Sequence, residues 1–171
     1  MREASRVAAR LVLIAIALAT IGCDRMTKHV ASAALAGMPG RSYLADTVWL
    51  GYVENPGGFL SLGAGLPPGG RMLVFTAATG LALAGLLLLA LGRQQSRWPA
   101  LGLTLFIAGG ASNWIDRVAT GRVVDFINLG IGPVRTGVFN VADVAIMAGA
   151  LLFVVGEYRS HHRASTVTRQ R

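Results

Sequence analysis

Four apolar blocks, at about 7–30, 72–91, 98–115 and 138–158, constrain this chain more than any other feature. Each is close to the roughly 20 residues that a helix needs to cross a bilayer. In lipid, backbone N–H and C=O groups have no water to bond, so blocks of this length must pair their own backbone and become helices. Composition agrees, with 53% hydrophobic and only 14% charged residues, where a soluble domain carries about a quarter charged. The expected architecture is an all-α membrane protein with four transmembrane helices, forming a single polytopic domain over 1–171. Cys23 is the one cysteine, so an internal disulfide and a cysteine metal cluster are both excluded. Inside a membrane helix it reads as a small buried apolar residue.

Charge gives the orientation. Four crossings put both termini on one side, together with the short loop at Arg93 and Arg97. That side collects nine of the sixteen basic residues and only Glu3 and Glu157 of the eight acidic ones. The positive-inside rule therefore predicts cytoplasmic termini. The net charge of +8 is used up in orienting the chain, and no nucleic acid is called for. The first block, "LVLIAIALATIGC" behind Arg2, Arg6 and Arg10, also resembles a secretory signal peptide. Thr20 fits a lipoprotein cleavage site poorly, and a retained helix keeps the tail's orientation simple.

The connections are unequal. The cytoplasmic loop is minimal, whereas the outer segments 31–70 and 118–137 are long. In the first, β-branched and aromatic residues punctuated by Gly and Pro predict short strands and turns over the membrane face. The tail 159–171 is expected to lack structure.

Against this background the acidic residues stand out, because an ionisable group within a span marks a functional site by default. "NWIDR" places Asn113, Asp116 and Arg117 on one helix face, and "FNVAD" does the same for Asn140 and Asp143. Asp125 lies in the loop between these helices and can meet Asp143 at the outer mouth of the bundle. With a helix beginning near Val138, Asp143 would lie roughly 7–8 Å inside it. Two carboxylates in one partly desolvated site share a proton, which allows one to activate water while the other polarises a carbonyl. The bland alternative pairs each Asp with an Arg, for instance Asp116 with Arg117 or Arg122. The histidines, His29, His161 and His162, offer neither a Ser–His–Asp arrangement nor a metal spacing. A divalent cation on Asp116, Asp125 and Asp143 fits less well than a bound peptide, given the neighbouring Asn and Arg side chains.

Five motifs in order, "DRMTK" (Asp24–Lys28), Asn55 with Gly57, "ASNWIDR", "GRVVDFI" and "FNVAD", resemble those of bacterial lipoprotein signal peptidase, or signal peptidase II. The resemblance runs from about Ile21 to Ala145. It implies an aspartic endopeptidase of the bacterial inner membrane, cutting prolipoproteins immediately before a diacylglyceryl-modified Cys, with no cofactor or metal. It implies Asp125 and Asp143 as the catalytic dyad. For substrate binding it implies Asp24, Lys28, Asn55, Gly57, Asn113, Asp116, Arg117 and Asn140, with Asn55 on a small β-rich extracytoplasmic cradle. The implied partners are lipid-modified prolipoproteins and membrane lipid.

Two departures concern the surroundings of the dyad. The family's Asn-x-Gly-Ala-Ala-Phe-Ser appears here as "NPGGFLS", with Phe59 one place early, and Ser112 stands where Gly is usual. Gly57 and Gly58 are expected to supply positive-φ turn conformations, and the small residues Ala108–Ser112 to allow close helix approach. A proton-coupled carrier using the same carboxylates is the main rival, but the outer acids cluster at one membrane face. A silent lipopeptide-binding relative differs from the enzyme only in activity.

Overall fold

The computed structural model describes residues 2–58, 62–92 and 95–168. Phe59 and the shortened spacing around it lie outside those residues. Helix α1 (Arg2–Leu35) leads into strands β1 (Arg41–Tyr43) and β2 (Val48–Asn55). A second helical stretch follows from α2 (Pro68–Arg71) through a wide π-helical turn, Met72–Ala78, into α3 (Thr79–Gly92). Then come α4 (Arg97–Thr120), strands β3 (Val123–Ile131) and β4 (Val134–Arg135), and α5 (Val141–Thr168).

The protein is mostly helical, and among the described residues three stretches are long and apolar enough to cross a membrane: Ser5–Leu35, Pro68–Gly92 and Val141–Ser160. The third expected span, 98–115, lies within α4, which has 24 residues but is not one of those three. Its C-terminal half carries Ser112, Asn113, Asp116 and Arg117, and this polar run dilutes its apolar character. These are the residues that meet the other helices, as described below. The outward faces of α1 and α3 are apolar, with Leu11, Leu18, Leu81 and Leu88 among the exposed side chains. Cys23 is also exposed, not buried as expected, because it faces away from the bundle.

α4 and α5 pack most closely. A Cβ added at Gly109 would lie 2.5 Å from the Ala142 carbonyl, so only glycine lets the two backbones approach this far. The small residues of Ala108–Ser112 thus serve helix–helix packing within the chain. Where the π turn widens the second stretch, the Trp114 indole N–H donates to the Thr76 carbonyl at 2.8 Å.

The strands form one antiparallel sheet in the order β1-β2-β3-β4. β1 and β2 arise in the segment expected to hold strands. β3 was expected only as a connecting loop, yet it is the longest strand. It pairs with β2 over Val48–Asn55, with an irregularity between Leu50 and Val53. Phe139 adds a bridge to Ile127, which brings the chain entering α5 against the strand carrying Asp125. The tail differs from expectation as well. α5 continues beyond Arg159 to Thr168, since no Gly or Pro follows Arg159 and extending an existing helix is far easier than starting one.

Candidate active site

α5 begins at Val141, later than the apolar pattern suggests, because Asn140 is a better cap than the residues before it. The cap is reciprocal. The Asp143 N–H donates to Asn140 Oδ1 at 3.0 Å, and the Asn140 N–H donates to Asp143 Oδ2 at 3.1 Å. Asn-x-x-Asp is here a capping box. Asp143 therefore lies in the first turn of α5, about 3 Å along its axis, not 7–8 Å deep. It sits at the helix mouth, where the helix dipole favours its charge.

The same Asn140 reaches the other acid. Its side-chain Nδ2 donates to Asp125 Oδ1 at 2.6 Å. Asp125 is presented from β3, and its second oxygen accepts from Asn55 Nδ2 at 2.9 Å. Asp143 Oδ1 accepts from Asn113 Nδ2 at 3.0 Å. Each carboxylate is thus gripped by amides from two elements, and Asn140 touches both. Asp125 is 2% exposed and Asp143 9%. Burial pushes the Asp125 carboxyl up from 3.8 to about 6; the Asn55 hydrogen bond opposes this and the nearby Asp143 charge adds to it.

Beneath the two acids lies a second polar layer. Lys28 Nζ is 2.7 Å from Asn113 Oδ1, from Asp116 Oδ2 and from Asp24 Oδ2, which uses all three ammonium donors. Asp116 also pairs with Arg25 at 3.2 Å. Its partners are therefore the α1 cations, not Arg117 or Arg122, because α1 runs alongside α4 while Arg122 turns to Glu54. Asp24 is fully enclosed and accepts from Ser112 Oγ at 2.7 Å and from the Ala142 N–H at 2.8 Å.

Arg117 reaches the other way. Its Nη2 and Nε donate to the Gly57 carbonyl at 2.6 and 3.2 Å, tying the turn after β2 to α4. Within that turn the Gly57 N–H donates to Asn55 Oδ1 at 2.9 Å, and Asn55 Nδ2 also donates to the Gly58 carbonyl at 3.0 Å. Neither Gly57 nor Gly58 has positive φ. Gly58 is needed for space instead, since an added Cβ would come within 2.8 Å of the Phe75 ring.

All ten expected site residues thus fall into one connected network. Asp125, Asp143, Asn55, Asn113 and Asn140 form its centre, Arg117 and Gly57 its rim, and Asp24, Lys28 and Asp116 its base. Ser112 belongs to the base, where the sequence reading has it only as a departure from the family pattern and as one of the small residues Ala108–Ser112. A polar side chain in the middle of "AGGASNW" was the available signal. Among the described residues, no group of three or more His, Cys, Asp or Glu side chains is arranged to hold a metal ion. Chemically, two carboxylates at the mouth of a helix, held by amides and sharing one buried setting, can take up and release a proton on either side of a bound peptide.

The family model described as Signal peptidase (SPase) II matches residues 16–159. The chain belongs to the signal peptidase II family. Its relatives include a lipoprotein signal peptidase of Rhodococcus jostii, 37% identical over 155 residues, covering 85% of this chain and 72% of the relative. Another, from Streptococcus pneumoniae, is 32% identical over 147 residues, covering 85% and 92%. A solved structure described as a bacterial membrane enzyme, determined by the in meso method at 2.3 Å resolution, superposes with a TM-score of 0.73 at 25% identity. It covers 88% of this chain and 89% of that one. A second such structure, at 1.9 Å resolution, gives a TM-score of 0.70 at 25% identity, covering 84% and 90%.

Proposed function

We propose that this protein is a membrane-embedded aspartic endopeptidase that removes the signal peptide from diacylglyceryl-modified prolipoproteins, cutting immediately before the lipidated Cys. The observation that carries the reading is the pair Asp125 and Asp143, both buried and bridged by Asn140. Family membership and the lipoprotein signal peptidases among its relatives give the substrate class. On this reading α4 is the third of four crossings, both termini are cytoplasmic, and the sheet covers the site at the outer face of the bacterial inner membrane.

The dyad works as a unit holding one proton. The ionised carboxylate takes a proton from water, and the water oxygen attacks the scissile carbonyl carbon. The protonated partner gives its proton to the carbonyl oxygen. Collapse of the tetrahedral intermediate breaks the C–N bond, and the amide nitrogen leaves with the proton that the base had taken. One hydroxyl of the intermediate returns its proton to the other carboxylate, which leaves a carboxyl product and a dyad again holding one proton. A carboxyl pushed up to about 6 is suited to such exchange near neutral pH.

Asn55, Gly57, Asn113, Arg117 and Asn140 surround the place where the peptide backbone would lie, and Asp24, Lys28 and Asp116 support them from the C-terminal halves of α1 and α4. Membrane lipid bathes the exposed apolar faces, and the diacylglyceryl group enters from that side.

The test is incubation of the purified protein with a diacylglyceryl-modified prolipoprotein and with the same precursor lacking the lipid. The expected result is a shortened product from the lipidated form alone. Cleavage of both forms at equal rates, or of neither, would overturn the assignment.

A further inference from the structure

The first turn of α5 is held less by its own backbone than by a carboxylate from another helix. Its first N–H···O=C bond, from Val144 to Asn140, is long at 3.4 Å. The Asp143 N–H is taken by Asn140 Oδ1. The Ala142 N–H, one residue before Asp143, is taken by Asp24 Oδ1 from α1 at 2.8 Å. The other Asp24 oxygen accepts from Ser112 Oγ on α4 and from Lys28 Nζ, both at 2.7 Å. Asp24 and Ser112 are both fully buried, so water cannot substitute for either partner.

A buried carboxylate is tolerated only when its lone pairs are filled. Ser112 fills one and also fixes the direction of the group. Its hydroxyl holds Oδ2 toward α4, which leaves Oδ1 on the Ala142 N–H in the first turn of α5, where an anion is favoured by the helix dipole. We infer that Ser112 is a positioning residue, acting through Asp24 and the Ala142 N–H to fix the start of α5 and so the placement of Asp143. This rests on the reading of Asp143 as a member of the dyad. Ser112 itself touches neither Asp125 nor Asp143 by any hydrogen bond in the network. Its influence must pass through Asp24.

Ser112→Ala removes one oxygen and crowds nothing. It is compared with Asp24→Asn and with the double variant in the intact membrane protein. Two quantities are read: kcat and KM on a lipidated prolipoprotein, and hydrogen exchange of the Ala142 amide by NMR. Ser112→Ala should lower kcat about tenfold with KM little changed, because a small misplacement of a reacting group costs rate more than binding. It should also speed Ala142 exchange by about tenfold while amides in the middle of α5 keep their protection. The double variant should be no slower than Asp24→Asn alone, since both changes cut one chain of contacts. Wild-type kcat and wild-type Ala142 protection in Ser112→Ala would overturn the inference, as would strictly additive losses. Ala142 exchange does not depend on turnover. If wild-type protein fails to cleave, the proposed function fails, while the exchange measurement still decides whether Ser112 fixes the start of α5. Should Asp24→Asn not insert, Ser112→Ala alone carries both readouts.

Discussion

Asn140 donates its side-chain amide to Asp125 at 2.6 Å while its backbone N–H and side-chain oxygen close a capping box with Asp143. One residue thus ends the chain's approach from the sheet, starts α5, and fixes the relation between two acids that are 18 positions apart in the sequence. The cap and the bridge are separable by mutation. Asn140→Ser keeps an N-cap oxygen but cannot reach Asp125, so melting should change little while cleavage falls roughly a hundredfold. Asn140→Ala loses both and should in addition cost about 1 kcal/mol of stability. Thermal unfolding in detergent alongside initial cleavage rates checks the split. Equal melting of all three proteins would show that the cap contributes nothing.

The Asp125 carboxyl offers a test with opposite signs. Burial raises it to about 6, the Asn55 hydrogen bond lowers it, and the Asp143 charge raises it. Removing the neighbouring charge in Asp143→Asn makes ionisation easier, so the pKa should fall. Removing the donor in Asn55→Ala withdraws support from the charged form, so it should rise. In the wild type the ionised form is disfavoured by folding, so this residue's unfavourable contribution to stability is present above about pH 6. It is relieved as pH falls toward 3.8. Carboxyl-carbon NMR of labelled Asp125 follows each titration, and shifts in the same direction for both variants would contradict the arrangement.

Arg117 holds the Gly57 carbonyl with two donors. A lysine has the charge but not the fork. Arg117→Lys should therefore loosen the turn over the site and raise KM by about tenfold, with a smaller effect on kcat. Steady-state kinetics on a lipidated precursor measures this, and an unchanged KM would reduce the contact to a surface tie.

The charge distribution predicts the topology of the proposed membrane enzyme. Reporter fusions after Arg171 should behave as cytoplasmic and those near Tyr43 as exported. A cytoplasmic signal at Tyr43 would place the acids in the wrong compartment.

Much of this was legible in the sequence because lipid permits so few backbone solutions. The helices fall where the apolar blocks lie, and the acids that interrupt them lead to Asp125 and Asp143. What was hidden depends on contacts between distant segments. β3 reads as a loop because its partner, β2, lies about 70 residues earlier, and pairing alone makes it a strand. The sequence places the start of α5 too early because apolar Val138 and Phe139 fit a helix pattern, while the Phe139 backbone pairs instead with Ile127 of β3. Asp24 looks like a helix-end acid, and nothing local reveals that its acceptors reach α4 and α5. Asn140-x-x-Asp143 was readable as a capping box but reads equally as a helix face.

The most direct measurement is the cleavage rate of a diacylglyceryl-modified prolipoprotein by wild type, Asp125→Asn, Asp143→Asn and, as control, Asp46→Asn in the same membranes. Asp46 is exposed and lies in the β1–β2 turn, where it meets Ser42 and Arg135. Either dyad substitution should lower turnover by at least about a hundredfold in folded, inserted protein, while Asp46→Asn should stay near wild type. Substantial cleavage by folded Asp125→Asn or Asp143→Asn would contradict the dyad assignment.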